Sequence, residues 1–239
     1  EKECEARQFM YSFVDQCTDL LENTIETETG ETKILDLVRT RINDIFEIKN
    51  TEPEEILLDE FVRRALENIR LEFAHRELKI EQAFESTPPV FTAAEPLQKV
   101  VDGLIRNAVE NTPDRGKIKV IVSNKESGPC FVVKDYGIGI HVDHQTRIFN
   151  GFFTTQETAA YSSKKPFDFN AGGRGADLLR MKIFSEQYHF LIHATSKRCQ
   201  FIPGKNDTCP GNIVECSFCK DESDCYQSGG SSFTVDFGI

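Results

Sequence analysis

The sequence predicts an α+β sandwich, a mixed sheet with helices gathered on one face, preceded by an α-helical hairpin. Three observations carry this. Apolar residues recur at helical spacing in several segments, short alternating or continuous apolar runs stand between them, and glycine-rich turns mark where the two kinds of segment meet. With 239 residues and 39% hydrophobic content there is material for one large domain plus a helical extension.

The N-terminal 1–52 reads as two helices. Phe9, Phe13, Cys17, Leu20 and Leu21 make one amphipathic stripe, and Leu35, Val38, Ile42 and Ile45 a near-heptad second one, with a turn around Gly30. Two such helices bury little alone, so a hairpin that dimerises into a four-helix bundle is expected, with folding back onto the remainder as the alternative. The second domain is expected over 53–239. In it, Glu54 to Leu78 reads as a helix with Phe61, Ala65, Ile69 and Phe73 on one face, and Leu78 to Phe84 as a half-buried strand ended by Pro88-Pro89. Leu97 to Pro113 is a second helix, with Gly103, Asn107, Glu110 and Asn111 on its polar face. Strands follow at Ile118–Val122 and Phe131–Val133, joined through Asn124 to Gly128, then at Phe190–Ala194 and Phe233–Phe237.

The sequence reads most clearly at Asp135-Tyr136-Gly137-Ile138-Gly139, a carboxylate at the end of an apolar strand followed by two glycines. Such a turn brings backbone close to a flat or anionic ligand. Upstream, Asn107 offers an amide oxygen suited to Mg²⁺. Downstream, Gly172-Gly173-Arg174-Gly175 opens a helix, whose free N–H groups favour phosphate. Taken in order, the three pieces describe a nucleotide site.

These segments resemble the boxes of the Bergerat-fold ATPases shared by sensor histidine kinases, DNA gyrase, ninety-kilodalton heat-shock chaperones and MutL, with the histidine kinases the nearest match. Gly103 to Pro113 resembles the N box, Asp135 to Ile140 the G1 box, Ile148 to Thr155 the F box, and Gly173 to Leu178 the G2 box, with Gly230 to Val235 as the final strand. The resemblance implies that Asp135 accepts a hydrogen bond from the adenine amino group and that Asn107 coordinates Mg²⁺. Gly137 and Gly139 then pass the base and ribose, and Gly173, Arg174 and Gly175 contact the phosphates. Asn111, Lys165 and Ser231 complete the expected nucleotide-contacting set. The implied cofactors are ATP and Mg²⁺. The implied partners are a second copy through the N-terminal helices, a response regulator and an upstream sensor. An ATP lid is expected over 154–172, where Lys164 or Lys165 reaches the triphosphate unless both are simply solvated.

Departures from the family pattern define a second reading. Gly103 stands where an Asn or Glu is usual, Asp177 where the third G2 glycine is usual, and Phe13 where the phosphoacceptor His of the first helix is expected. The first histidine is His75, expected as a surface or capping residue. The alternative to a catalytic kinase region is therefore an impaired pseudokinase module whose ATP binding or cysteine insert regulates a partner. A clamp ATPase of the chaperone or MutL kind is disfavoured because the added transducer domains are missing.

Five of eight cysteines fall within 199–225, in an insert broken by Pro203, Gly204, Pro210 and Gly211. Cys216-x-x-Cys219 suits tetrahedral zinc, with Cys209 and Cys225 as the expected further ligands and Cys199 left out. Iron–sulfur, thiol redox sensing and unligated cysteines stay open. A reducing cytoplasm disfavours structural disulfides. The net charge of -11 argues against a sequence-blind nucleic-acid binder, and no apolar run is long enough for a bilayer. The segment is expected to be soluble and cytoplasmic.

Overall fold

A computed structural model describes residues 52–149, 165–171, 177–204 and 207–238. A division of the chain falls between Asn50 and Thr51, and every described residue belongs to the second unit. The expected N-terminal helices, Phe13 included, lie outside the described residues.

Five strands form the main sheet in the order β2-β4-β5-β7-β6. They are β2 (Lys79–Phe84), β4 (Lys117–Lys125), β5 (Gly128–Asp135), β6 (Leu191–Lys197) and β7 (Gly230–Asp236). β2 runs parallel to β4 and the other pairs are antiparallel, so the sheet is mixed as expected. The register sets Val120 opposite Val133 and Val133 opposite Phe233, a buried row running across the sheet centre. The period of two then puts Ile118, Val122, Phe131 and Val235 on that covered face too.

Helix α1 (Leu58–Arg70) buries Leu58, Val62, Ala65, Leu66 and Ile69, with Asp59 and Glu60 in its first turn and Arg70 in its last, each matching the helix dipole. The single helix expected from Glu54 to Leu78 is therefore shorter. Glu54–Ile56 is instead strand β1, paired antiparallel with β3 (Val90–Thr92), and the chain leaves the helix after Arg70. Periodicity favoured one long helix because Phe73 is also buried, but it is buried from a turn.

Helix α2 (Ala94–Asn111) crosses the sheet as its central cover, with Leu97, Val100, Val101, Leu104, Ile105, Ala108 and Val109 buried. Pro96 sits in the first turn, where its missing N–H costs nothing. The helix stops at Thr112, which is extended because Pro113 follows and disfavours helical backbone before it. That stop turns the chain toward the end of β5. Helix α4 (Asp177–Gln187) packs beside α2 through Met181 and Phe184, after the short helix α3 (Val142–Gln145). The last helix, α5 (Glu222–Ser228), is capped by the Asp221 carboxylate, which accepts from the Ser223 and Asp224 N–H groups at 2.8 and 3.2 Å. Among the described residues no helix is long and apolar enough to cross a membrane.

Candidate nucleotide site

The site forms where α2 ends, β5 ends and β7 begins. Asp135 is the last residue of β5 and only 3% exposed. One of its carboxylate oxygens accepts from the Gly137 N–H at 3.0 Å and from the Ser231 N–H at 3.1 Å. Burial raises its pKa to about 7, and these backbone donors oppose the rise without cancelling it. A carboxylate this buried at a strand end, with its pKa raised, is a candidate ligand-binding group.

The following turn is clamped on both sides. The Ile138 N–H donates to the Asn111 carbonyl at 3.1 Å, and the Ile138 carbonyl accepts from the Cys199 N–H at 2.9 Å. Gly137 has no room for a side chain, since a Cβ there meets the Asn111 carbonyl oxygen at 1.9 Å. Gly139 adopts φ +63°, the left-handed region that glycine tolerates, with the Lys197 carbonyl equally close. Both glycines are thus required by the close approach of the Asn111 and Lys197 backbone, whereas the sequence reading ties them to the approach of a ligand.

Asn107 is half-buried on α2, and its side chain has no hydrogen-bond partner among the described residues. Its backbone carbonyl accepts from the Asn111 side-chain amide at 2.8 Å. Asn107 is thereby left open to a ligand, while Asn111 spends its donor on its own helix. Ser231 contributes through its N–H to Asp135, and its hydroxyl stands 3.0 Å from that of Ser196. Ser196 in turn accepts from the Ile140 N–H at 2.8 Å, so Ser231 and Ser196 fix the turn from behind. Gly173, Arg174, Gly175 and Lys164 lie outside the described residues.

Two members of the expected polar face of α2 are not exposed. Glu110 is buried and accepts from the Phe167 N–H at 3.2 Å, while its carbonyl accepts from the Asn170 N–H at 2.7 Å. Burial raises its pKa, partly offset by that Phe167 N–H. Gly103 is also buried, because α4 covers it: a Cβ at this position meets Met181 Cε at 2.3 Å. Helical spacing marks which residues share a face but not whether another helix covers it.

Missing from the sequence reading was Arg76, whose side chain is 4% exposed. Its guanidinium donates to Asp114 Oδ1 at 2.8 Å and to the carbonyls of Val109, Thr112 and Phe167 at 3.2, 2.8 and 2.6 Å. Next to it, His75 Nε2 lies 3.1 Å from Asp168 Oδ1. Arg76, Glu110 and His75 therefore hold residues 167–170, the described end of the expected lid, against the exit of α2. Lys165 belongs to the same segment, where its N–H donates to Asp168 Oδ2 at 3.0 Å.

The five cysteines of the insert line one cavity of about 230 Å³ together with Phe218. Cys199, left out of the expected zinc ligands, lines the same cavity. All described cysteines are free thiols, and among the described residues no three His, Cys, Asp or Glu side chains already stand in metal-holding geometry. Burial pushes the Cys219 and Cys225 thiols up to about 12.

Comparison with known proteins identifies the family of this chain. The family described as histidine kinase-, DNA gyrase B-, and HSP90-like ATPase matches residues 92–236, from the end of β3 through β7. The chain belongs to that ATPase family. Among its relatives are the adaptive-response sensory kinase SasA of Gloeothece citriformis, 34% identical over 84 residues, and the phosphate regulon sensor protein PhoR of Pseudomonas aeruginosa, 31% identical over 113. These alignments take 34% and 47% of this chain and 21% and 22% of the relatives, so the chain spans about a fifth of the curated relatives it matches.

Solved structures agree on the ATPase fold. Mycobacterial sensor histidine kinase MprB aligns with a TM-score of 0.52 at 18% identity, over 78% of this chain and 97% of that one. Full-length ShkA in complex with AMPPNP aligns with a TM-score of 0.57 at 17% identity, over 97% of this chain and 45% of that one.

One consequence for this ATPase follows from Met181. Gly103→Asn, which restores the usual N-box residue, is expected to lower stability by about 1–3 kcal/mol through overpacking. Urea denaturation measures it, and Met181→Ala in the same chain is expected to recover most of the loss.

Proposed function

We propose that this chain is the Mg-ATP-binding catalytic region of a bacterial sensor kinase, supplying the γ-phosphoryl group for signal transduction. The observation that carries the reading is Asp135, a buried carboxylate with one oxygen held by two backbone N–H groups, at the mouth of a glycine turn. In this reading its second oxygen accepts the adenine amino group, which separates adenine from guanine because guanine carries a carbonyl at that position. Gly137 and Gly139 let the base lie against backbone.

Asn107 fits a magnesium site: it is an oxygen donor, half-buried and without a competing protein partner among the described residues. Mg²⁺ keeps few protein ligands when phosphates supply the others, so a single asparagine is chemically sufficient. Bound there, the ion would supply charge neutralisation to the phosphate oxygens. Gly103 supplies no side-chain group to the phosphate end. The chain's own contribution to transfer is then positioning, through Asn107, the G2 loop with Gly173, Arg174 and Gly175, and closure of the lid that carries Lys165. Dimerisation through 1–52 and delivery of the phosphoryl group to a response regulator complete the proposal.

The test is incubation of the purified chain with Mg²⁺ and γ-labelled ATP, recording bound nucleotide, released phosphate and protein-bound label together. Mg-dependent binding with label on protein, on this chain or on a response regulator added to it, is the expected result. Binding with neither label nor turnover would leave a nucleotide-responsive module and remove the kinase assignment.

A further inference from the structure

The cysteine insert is larger than a strand connection needs, and nothing in ATP chemistry uses it. Its five thiols come from three separate stretches of chain, Cys199 after β6, Cys209 in the loop, and Cys216, Cys219 and Cys225 around α5, yet all line one cavity. A further described cysteine, Cys130, lies away from it on β5. Among its described residues, the stretch from Arg198 to Gly229 contains only a single 3₁₀ turn, Ile213–Glu215, and the seven-residue α5. Regular structure supplies little of what orders this segment.

The insert also grips the nucleotide turn. The Cys199 N–H bonds the Ile138 carbonyl at 2.9 Å, and Arg198 Nη1 reaches the Gly139 carbonyl at 3.4 Å. Farther along, the Asp114 N–H donates to the Gly211 carbonyl at 2.8 Å and the Ile213 N–H to the Asp114 carbonyl at 3.1 Å. Asp114 is itself held by Arg76, so the insert touches both walls of the site, the G1 turn and the exit of α2.

We propose that the cavity is a thiolate site for a soft divalent cation of the zinc class, with Cys199 among its ligands, and that its occupancy sets the geometry of the Ile138–Gly139 turn and hence nucleotide affinity. Sulfur donors without a histidine in the cavity lining select such an ion over magnesium or calcium. Among the described residues the sulfurs are not in ligand geometry, so binding has to bring the thiols closer together, and Cys199 links that change to the Ile138 carbonyl its N–H holds. The affinity half of this proposal rests on the nucleotide reading of Asp135 and Asn107.

Cobalt and zinc titrations of the purified chain, in a non-thiol reductant, test it. One equivalent of Co²⁺ is expected to give a thiolate-to-metal charge-transfer band that Zn²⁺ bleaches, and Cys216→Ser is expected to remove the band. On the unsubstituted chain, Zn²⁺ is expected to protect the insert cysteines from alkylation, read by mass spectrometry, so the result survives if a variant fails to fold. Metal loading is expected to change the dissociation constant of a fluorescent ADP analogue by about fivefold or more. Cys199→Ser is expected to weaken the band and to erase that change. Absence of both band and protection overturns the metal site. A band with unchanged nucleotide affinity overturns the coupling. Absence of nucleotide binding with and without metal removes the ATP reading and the coupling with it, while the cobalt band still decides the metal site.

Discussion

Asp135→Asn is expected to weaken nucleotide binding roughly 100-fold, the largest effect of any single substitution at the site. The reason is the count of oxygens. In the native side chain one oxygen accepts from the N–H groups of Gly137 and Ser231, and in the proposed nucleotide reading the other accepts from the adenine amino group. Asparagine has a single oxygen. If it keeps the two backbone donors, its NH₂ group faces the adenine amino group, donor against donor. If it turns to serve adenine, two buried N–H groups face an NH₂. Calorimetric titration with ADP measures the loss.

The same carboxylate gives a signed pH dependence. Its folded pKa, about 7, lies above the ordinary value of 3.8. Below the unfolded value both states bind the proton and Asp135 contributes no difference. Between about 4 and 7 the unfolded chain releases the proton first, so stability falls as pH rises, by an amount on the order of 4 kcal/mol when complete. Denaturant midpoints across this range are expected to show the fall in the native chain and to lack it in Asp135→Asn. Nucleotide affinity runs the other way and weakens as pH drops below about 7, since only the ionised group accepts from both sides.

Arg76→Ala is expected to cost about 2–4 kcal/mol, from the hydrogen bonds lost by a buried guanidinium. It takes the partner from the carbonyls of Val109, Thr112 and Phe167, while the Asp114 carboxylate, 31% exposed, keeps the Glu77 N–H at 3.3 Å. Arg76→Lys keeps the charge but loses the planar fork that reaches four acceptors, so an intermediate loss is expected. Urea unfolding gives the magnitude. Hydrogen exchange adds a local readout: the Phe167 and Asn170 amides, held by Glu110 beside Arg76, are expected to lose protection in Arg76→Ala even at urea concentrations where the chain stays folded.

Several features of this ATPase were legible in its sequence. The buried runs that became β4 and β5, the helix that became α2, and Asp135 with its two glycines all rest on short-range information: periodicity, turn chemistry and the steric demands of glycine. Thr112-Pro113 ends α2 for a reason contained in two adjacent residues. These local rules also ordered the motifs closely enough to indicate a nucleotide site.

What the sequence left undecided depends on groups far apart in the chain. Arg76 and Phe167 are 91 residues apart and Glu110 and Phe167 are 57 apart, so nothing local marks either as an anchor of the lid end. Helical spacing put Gly103 and Glu110 on a polar face, and only α4 and the 167–170 segment arriving there made both buried. Cys199 was left out of the expected ligand set because five thiols compete for four positions, and only the return of β6 toward β7 shows that it shares a cavity with Cys225. The sequence by itself determined which residue types can bind a nucleotide and which short segments are strand, turn or helix. Only the tertiary structure decided which polar groups are shielded from water, and shielding is what raises the Asp135 pKa and keeps water from competing for the Arg76 donors.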